Sequence, residues 1–454
     1  MWKQKSLNFI RLQCLSKRFL QRSARRQQYG WKRVDRVGLL RTNIAKRALV
    51  MKNCPGFHNQ MLWYSTSVPH SMNAKPDNVI RNHAENKATQ LTLKEIVEFS
   101  SPERFMEFAS FIKRELPVRI SHRVVELESL PYNLSDMPRF EWKCKCQSHE
   151  FSFVINKQNS ILKLRNMYQL GFHLIRSLPE PIDNVSLATF VKGVESHFKT
   201  LANATEWLAA GITECTIHHP SQASQVRTCK FLNGFLDRFH ASRIGTRLLT
   251  GQLCALYAQY YDSDGKPKAI KSGKSGALGI IDHNCSPKEV LQWAVDDASR
   301  MCHENFGKVP EVNIIDEQHI RFTYIPTHLH YILLELLKNS MRATCEHHKD
   351  LDESKLPPIE AIIVGSSASN EVTIKLCDQG GGIPKDNLDK IWLYSYSTVP
   401  PKDAKTKATP MAGLGYGLPL SRLHAQYFGG HLGVVSMHGY GTDAFLYLHF
   451  LISQ

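Results

Sequence analysis

Between residues 90 and 262 apolar side chains recur at intervals of three and four, the spacing of one helical face. Thr92 and Glu95 make a capping-box pair, and Ser101-Pro102-Glu103 reads as a second helix start. Phe105, Phe108, Ile112 and Leu116 then mark one face, which Pro117 is expected to end because it brings no N–H to the helix. Leu187, Phe190, Val191, Val194, Phe198, Leu201, Leu208 and Ile212 continue the pattern. A third run, from 226 to 261, is long enough for a bundle helix. Such stripes build cores and by themselves name no function.

Residues 139 to 159 break the helical pattern and read as a loop insertion. The polar stretch 262 to 277, rich in Gly, Ser, Asp and Lys, is the best domain boundary. Beyond it the periods alternate. Ser286-Pro287-Lys288-Glu289 starts a helix to about Glu304, and a second helix covers 327 to 346. Strands are expected at 312–315, 322–325, 359–364 and 372–377, a helix at 418–428, and strands at 432–437 and 444–450. That order predicts an α/β sandwich on a mixed sheet.

The net charge of +16 changes the picture only at one end. Residues 1 to 64 hold fifteen Lys and Arg and one acid, Asp35, whereas the rest of the chain has 42 basic and 40 acidic residues. With Leu7, Ile10, Cys14, Leu15 and Phe19 loosely on one face, the basic segment fits a mitochondrial transit peptide better than a nucleic-acid-binding arm. No run approaches the length of apolar sequence that a membrane span requires. Eleven scattered cysteines do not form a disulfide framework, and Cys144, Cys146 and His149 lack the second pair that a zinc site needs. The expected organisation is a leader over 1–85, a helical domain over 86–262, a linker over 263–277 and a catalytic domain over 278–454.

Four pieces of candidate chemistry occur in order in the last of these. Glu335 and Asn339 lie one turn apart on a helix, with Lys338 and Arg342 close by. The Asn339 amide oxygen suits Mg²⁺, and the Glu335 carboxylate suits proton abstraction from an attacking hydroxyl. Asp378 ends a strand before Gly380, Gly381 and Gly382, where a carboxylate can bind an adenine amino group beside a backbone free to approach the base. Gly413-Leu414-Gly415-Tyr416-Gly417-Leu418 leads into a helix, forming a phosphate cradle and a lid. Gly441-Thr442 precedes the last strand, with Thr442 placed to support the adenine site. Gly273-Lys274-Ser275 is not a P-loop, because Lys268 stands where glycine is required and no buried strand precedes it.

Asn box, Asp-x-Gly-x-Gly, glycine lid and Gly-Thr together resemble the Bergerat ATP-binding superfamily of Hsp90, DNA gyrase, MutL and the histidine kinases. Within it, Glu335-Leu-Leu-Lys-Asn-Ser-Met-Arg-Ala-Thr344, Tyr394-Ser-Tyr-Ser-Thr398, Gly415-Tyr-Gly-Leu-Pro-Leu-Ser-Arg422 and Gly439-Tyr-Gly-Thr-Asp-Ala444 resemble the pyruvate dehydrogenase kinase family. So do Glu115-Leu-Pro-Val-Arg-Ile120, Leu130-Pro-Tyr132 and Phe235-Leu-Asp-Arg-Phe239 with Ser242-Arg-Ile-Gly245 in the helical half. The resemblance covers about residues 90 to 450.

It implies an α+β protein: an N-terminal four-helix bundle followed by a Bergerat-type α/β sandwich. It also implies a homodimeric serine kinase of the mitochondrial matrix. Such a kinase uses ATP and Mg²⁺ to inactivate the E1α subunit of the pyruvate dehydrogenase complex, and docks on lipoyl domains of E2. Glu335 would be the general base and Asn339 the Mg²⁺ ligand. Asp378 would read adenine, Ser397 and Thr398 would lie beside the nucleotide, and Gly413 to Leu418 would close over the triphosphate. Three departures stand out. Tyr331 replaces the histidine that animal members carry one turn before the base, with His330 a residue earlier. Thr200-Leu201-Ala202 replaces the family's Arg-His-Asn stretch, a departure that bears on regulation by small keto acids. The sequence ends at Gln454, where animal members continue into a tail, so the lipoyl contact is expected to be built differently. The sister branched-chain keto-acid dehydrogenase kinase is the alternative. A histidine kinase using His197, or an ATP-shaped scaffold without catalysis, is more remote.

Overall fold

The computed structural model describes residues 77–130, 144–146, 149–151, 160–218, 229–262, 265–268, 277–366, 370–396 and 415–449. The expected leader lies outside them except for its last turns, which form helix α1 (Asn78–Ala84). Asp77 caps α1, and Ile80 is buried against the helical core.

The helical half continues with α2 (Leu93–Phe99), α3 (Phe105–Glu128), α4 (Ser160–Ser177), α5 (Asn184–Thr200), α6 (Ala204–His218) and α7 (Lys230–Tyr260). The expected capping box at Thr92 and Glu95 starts α2. Three expectations need correction. Pro117 does not end a helix: α3 runs through it, because Leu116, Ile120, Val124 and Leu127 bury one unbroken stripe. Core burial here offsets the roughly 3 kcal/mol that an interior proline costs. Helix α3 also starts at Phe105, with Arg104 rather than Ser101 at its N-cap. The run from 187 to 212 is two helices, parted at Leu201–Asn203, where the amides of Ala202 and Ala204 fold back onto Lys199 and Leu201. In the expected loop insertion, the described residues form a small antiparallel pair, β1 (Cys144–Cys146) and β2 (His149–Phe151).

Strands β3 (Ala277–Leu278), β4 (Ile281–Cys285) and β6 (Phe322–Tyr324) make a three-stranded antiparallel sheet. Helices α8 (Pro287–Phe306) and α9 (Pro326–His347) pack against each other. They adjoin a five-stranded sheet of β5 (Val312–Ile315), β7 (Ile359–Ser366), β8 (Glu371–Asp378), β10 (Gly441–His449) and β9 (His431–Met437), in that order. The β5–β7 pair is parallel and the other pairs are antiparallel, so the sheet is mixed as expected. Helix α10 (Gly417–Gln426) lies against α9 and β9. One face of the sheet is dry: Val372, Ile374, Leu376, Ala444, Leu446 and Leu448 are buried under the helices. The other face carries exposed Val364, Val435, Met437 and Tyr447.

The two halves interlock. Leu93, Ile96 and Leu248 of the helical half enter the sheet-side core, whereas Tyr394 and Tyr416 enter the helical core. The buried amide of Gln252 on α7 donates to Ser100 Oγ at 2.8 Å and to the Leu278 carbonyl at 2.9 Å. Its oxygen accepts from the Ile280 amide at 2.8 Å, which pins the β3–β4 hairpin to the helical half.

Candidate functional site

Helix α9 starts on Pro326, whose missing N–H costs nothing in a first turn. Leu329, Ile332, Leu333, Leu336, Leu337 and Met341 bury its apolar stripe. That burial turns Tyr331, Glu335, Lys338, Asn339 and Arg342 toward a cleft of about 1000 Å³. Asp378, Gly380, Gly382, Gly415, Tyr416, Gly417, Leu418 and Thr442 line the same cleft. Every described candidate is therefore brought together; Ser397, Thr398, Gly413 and Leu414 lie outside the described residues.

Glu335 Oε1 accepts from Lys338 Nζ at 2.8 Å, and a β-carbon at Gly417 would collide with Oε2. The glycine therefore lets the start of α10 approach the carboxylate. Burial, followed by the charge of Glu335, pushes the Tyr331 hydroxyl well above the usual tyrosine range. His330 is not part of the cleft: it stacks on Trp293 of α8 at 3.7 Å, with Nε2 3.2 Å from Asp297 Oδ2. Among the described residues no protein hydrogen bond occupies the Asn339 amide, so its oxygen is open to a ligand.

Asp378 closes the far wall. Its Oδ2 accepts from Ser340 Oγ at 2.9 Å and its Oδ1 from the Gly380 amide at 3.0 Å. Burial raises its pKa against the opposing pull of these bonds. The Thr442 backbone also donates toward this carboxylate, which keeps capacity for one further donor. The turn after Asp378 needs its glycines: Gly381 and Gly382 have φ of 79° and 65°. A β-carbon at Gly382 would run into the Met437 carbonyl. Sequence reasoning missed Ser340 and Ser436. Ser436 Oγ bonds Thr442 Oγ1 at 2.9 Å and accepts from the Ile383 amide at 2.8 Å, tying the glycine turn to β9 and β10. Ser340 is one residue past Asn339, but that position shows its role only once β8 is in place.

Tyr394 and Tyr416, described residues on either side of 397–414, both reach the helical half. Tyr394 donates to Asp237 Oδ1 at 2.8 Å, and its amide donates to Asn233 Oδ1 at 3.1 Å. Tyr394 and Tyr416 both pack on the buried ring of His240, with centroids at 5.5 and 5.7 Å. His197 is 5% exposed and held by burial at a pKa of about 4, with its ring filling the space over Gly171. A packed, neutral histidine of this kind is not a phosphoacceptor on an open helix face.

The mixed sheet, the Glu–Asn helix face, the buried Asp before a glycine turn and the Gly-x-Gly entry to α10 define an ATP-binding unit of the histidine-kinase type. The family model for the histidine kinase-, DNA gyrase B- and HSP90-like ATPases matches residues 324–452. The model for mitochondrial branched-chain alpha-ketoacid dehydrogenase kinase matches residues 90–145 and 143–282. The mitochondrial [pyruvate dehydrogenase (acetyl-transferring)] kinase of Arabidopsis thaliana is 35% identical over 372 residues, 80% of this chain and 90% of its own. Isozyme 4 of Mus musculus is 35% identical over 377 residues, covering 80% and 82%, and isozyme 1 of Rattus norvegicus is 31% identical over 384, covering 82% and 80%. The chain belongs to the pyruvate dehydrogenase kinase family, and the expected fold class holds: a helical half followed by a mixed-sheet ATPase unit.

Proposed function

We propose that this chain is a mitochondrial serine kinase that transfers the γ-phosphoryl group of ATP to the E1α subunit of the pyruvate dehydrogenase complex and so switches that complex off. The observation that carries the reading is the single cleft holding Glu335, Asn339, Asp378 and Gly417, on a chain that matches the Arabidopsis kinase over most of both lengths. Asp378 and the turn at Gly381–Gly382 receive adenine, and the amides leading into α10 receive phosphate. The open amide oxygen of Asn339 fits a magnesium ion that takes its remaining ligands from phosphates and water. Bound there, the ion would neutralise charge developing on the transferred group. Glu335 takes the proton of the serine hydroxyl, held for that task by Lys338 on one oxygen and the α10 backbone near the other.

The basic leader and the mitochondrial relatives support import into the matrix. Val364, Val435, Met437 and Tyr447, exposed on the outer face of the large sheet, support a homodimer through that face. The helical half would hold lipoyl domains of E2. A second substrate, the branched-chain keto-acid dehydrogenase complex, is favoured by the family model that matches the helical half. Incubation with labelled ATP, Mg²⁺ and both purified complexes separates the two. Label on the pyruvate dehydrogenase E1α serine is the expected result; label on the branched-chain E1α alone would reassign the substrate.

A further inference from the structure

Two buried thiols meet behind the nucleotide cleft. Cys302, in the last turns of α8, and Cys345, in the last turn of α9, place their sulfurs 3.6 Å apart. Both also face the Lys308 carbonyl, at 3.4 Å from Cys302 and 3.7 Å from Cys345. Among the described residues no other cysteine sulfurs are in contact. A disulfide would need this gap to close to roughly 2.05 Å.

The two sulfurs are not equivalent. A hydrogen bond from Cys302 lowers the Cys345 pKa against the effect of burial, with the Lys308 charge adding to the lowering. The same contact, together with burial, raises that of Cys302. Cys345 is thus the sulfur that gives up its proton first. Burial at 0% and 2% exposure shields the pair in the closed state. Both lie near helix ends, however, where local opening costs least.

The end of α9 is also part of the cleft. The Ala343–Thr344 backbone packs directly under Gly380, and His347 lies against Gly381. The Lys308 ammonium holds the turn beyond α9 through the carbonyls of His348, Lys349 and Leu351, at 2.9, 2.9 and 2.8 Å. Drawing Cys345 toward α8 therefore pulls on the support of the glycine turn that follows Asp378.

We propose that Cys302 and Cys345 are an oxidisable dithiol, closed by a small peroxide, and that closure weakens nucleotide binding. The Cys345 thiolate attacks one peroxide oxygen, breaking the O–O bond and leaving a sulfenic acid on Cys345 and hydroxide. The Cys302 sulfur then attacks the Cys345 sulfur and expels the second hydroxide; the two thiol protons convert both hydroxides to water. Two thiols are oxidised by two electrons, and one hydrogen peroxide is reduced to two waters.

The test treats the full chain with hydrogen peroxide, maps its peptides by mass, and measures ADP affinity before and after dithiothreitol. The expected result is a Cys302–Cys345 linked peptide two mass units lighter than the free pair, with ADP binding weakened at least threefold and restored by the reductant. Cys345→Val and Cys302→Ala should bind ADP like the parent under reducing conditions and lose the peroxide response. If either variant fails to fold, the wild-type peptide map still decides. No linked peptide, or a linked peptide with unchanged affinity, overturns the proposal.

Discussion

Glu335 and Gly417 touch: the carboxylate of α9 rests where the first residue of α10 would carry a side chain. The proposed base and the proposed phosphate cradle therefore share one point of contact. Gly417→Ala should push the Glu335 carboxylate off its position while leaving Asp378 and its glycine turn unchanged. Steady-state kinetics should show kcat falling at least tenfold with the nucleotide KM moving much less. An equal loss in both would mean that the glycine serves binding alone.

Glu335→Gln keeps the size of the side chain and removes its basicity. Nucleotide affinity by calorimetry should stay within about threefold, whereas serine phosphorylation should fall roughly 10²- to 10⁴-fold. Transfer at the wild-type rate would refute the general-base role.

Asp378→Asn leaves one oxygen where two now serve Ser340 and Gly380. If Asp378 receives adenine as proposed, the new NH₂ group must face either the Gly380 amide or the adenine amine, both of which are donors. ADP binding should weaken about tenfold to a hundredfold, the range for a lost hydrogen bond to a charged acceptor. Circular dichroism should show a retained fold.

His197 and His240 are buried and neutral, burial holding them at about 4 and about 3; the Arg243 charge adds to the effect at His240. Both fold-state values lie below the unfolded value near 6.5, so the unfolded chain binds more protons at mildly acid pH. Stability from these two residues should be full above pH 6.5. It should then fall by about 1.4 kcal/mol per pH unit for each residue as pH drops from 6.5 toward 4. Urea midpoints across that window check it, and His197→Gln should flatten the slope.

Much of the cleft could be read before the fold because its residues carry local signals. Glu335 and Asn339 share a helical face by spacing alone, and Asp378 stands between a β-branched strand and three glycines. Ser340 and Ser436 carry no such signal: Ser340 acts on Asp378, 38 positions further along, and Ser436 on Ile383, 53 positions back, partners that only the assembled sheet brings near. Pro117 misled because its local penalty is legible and the core burial that outweighs it is not. The β3–β4 hairpin was missed for a related reason. Its sequence, with Asp282, His283 and Asn284, is too polar to announce a strand, and Gln252, far upstream, holds it in place. Tyr331 and His330 show how fine the limit is: adjacent in sequence, one lines the cleft and the other stacks on Trp293.

Tyr394 and Tyr416 bracket residues 397–414 and both press on His240. A protease cut anywhere within that stretch would sever the backbone but not the assembly, since each new end keeps its own aromatic plug in the helical core. Nicked protein should therefore co-elute as one particle under native conditions and separate only in denaturant.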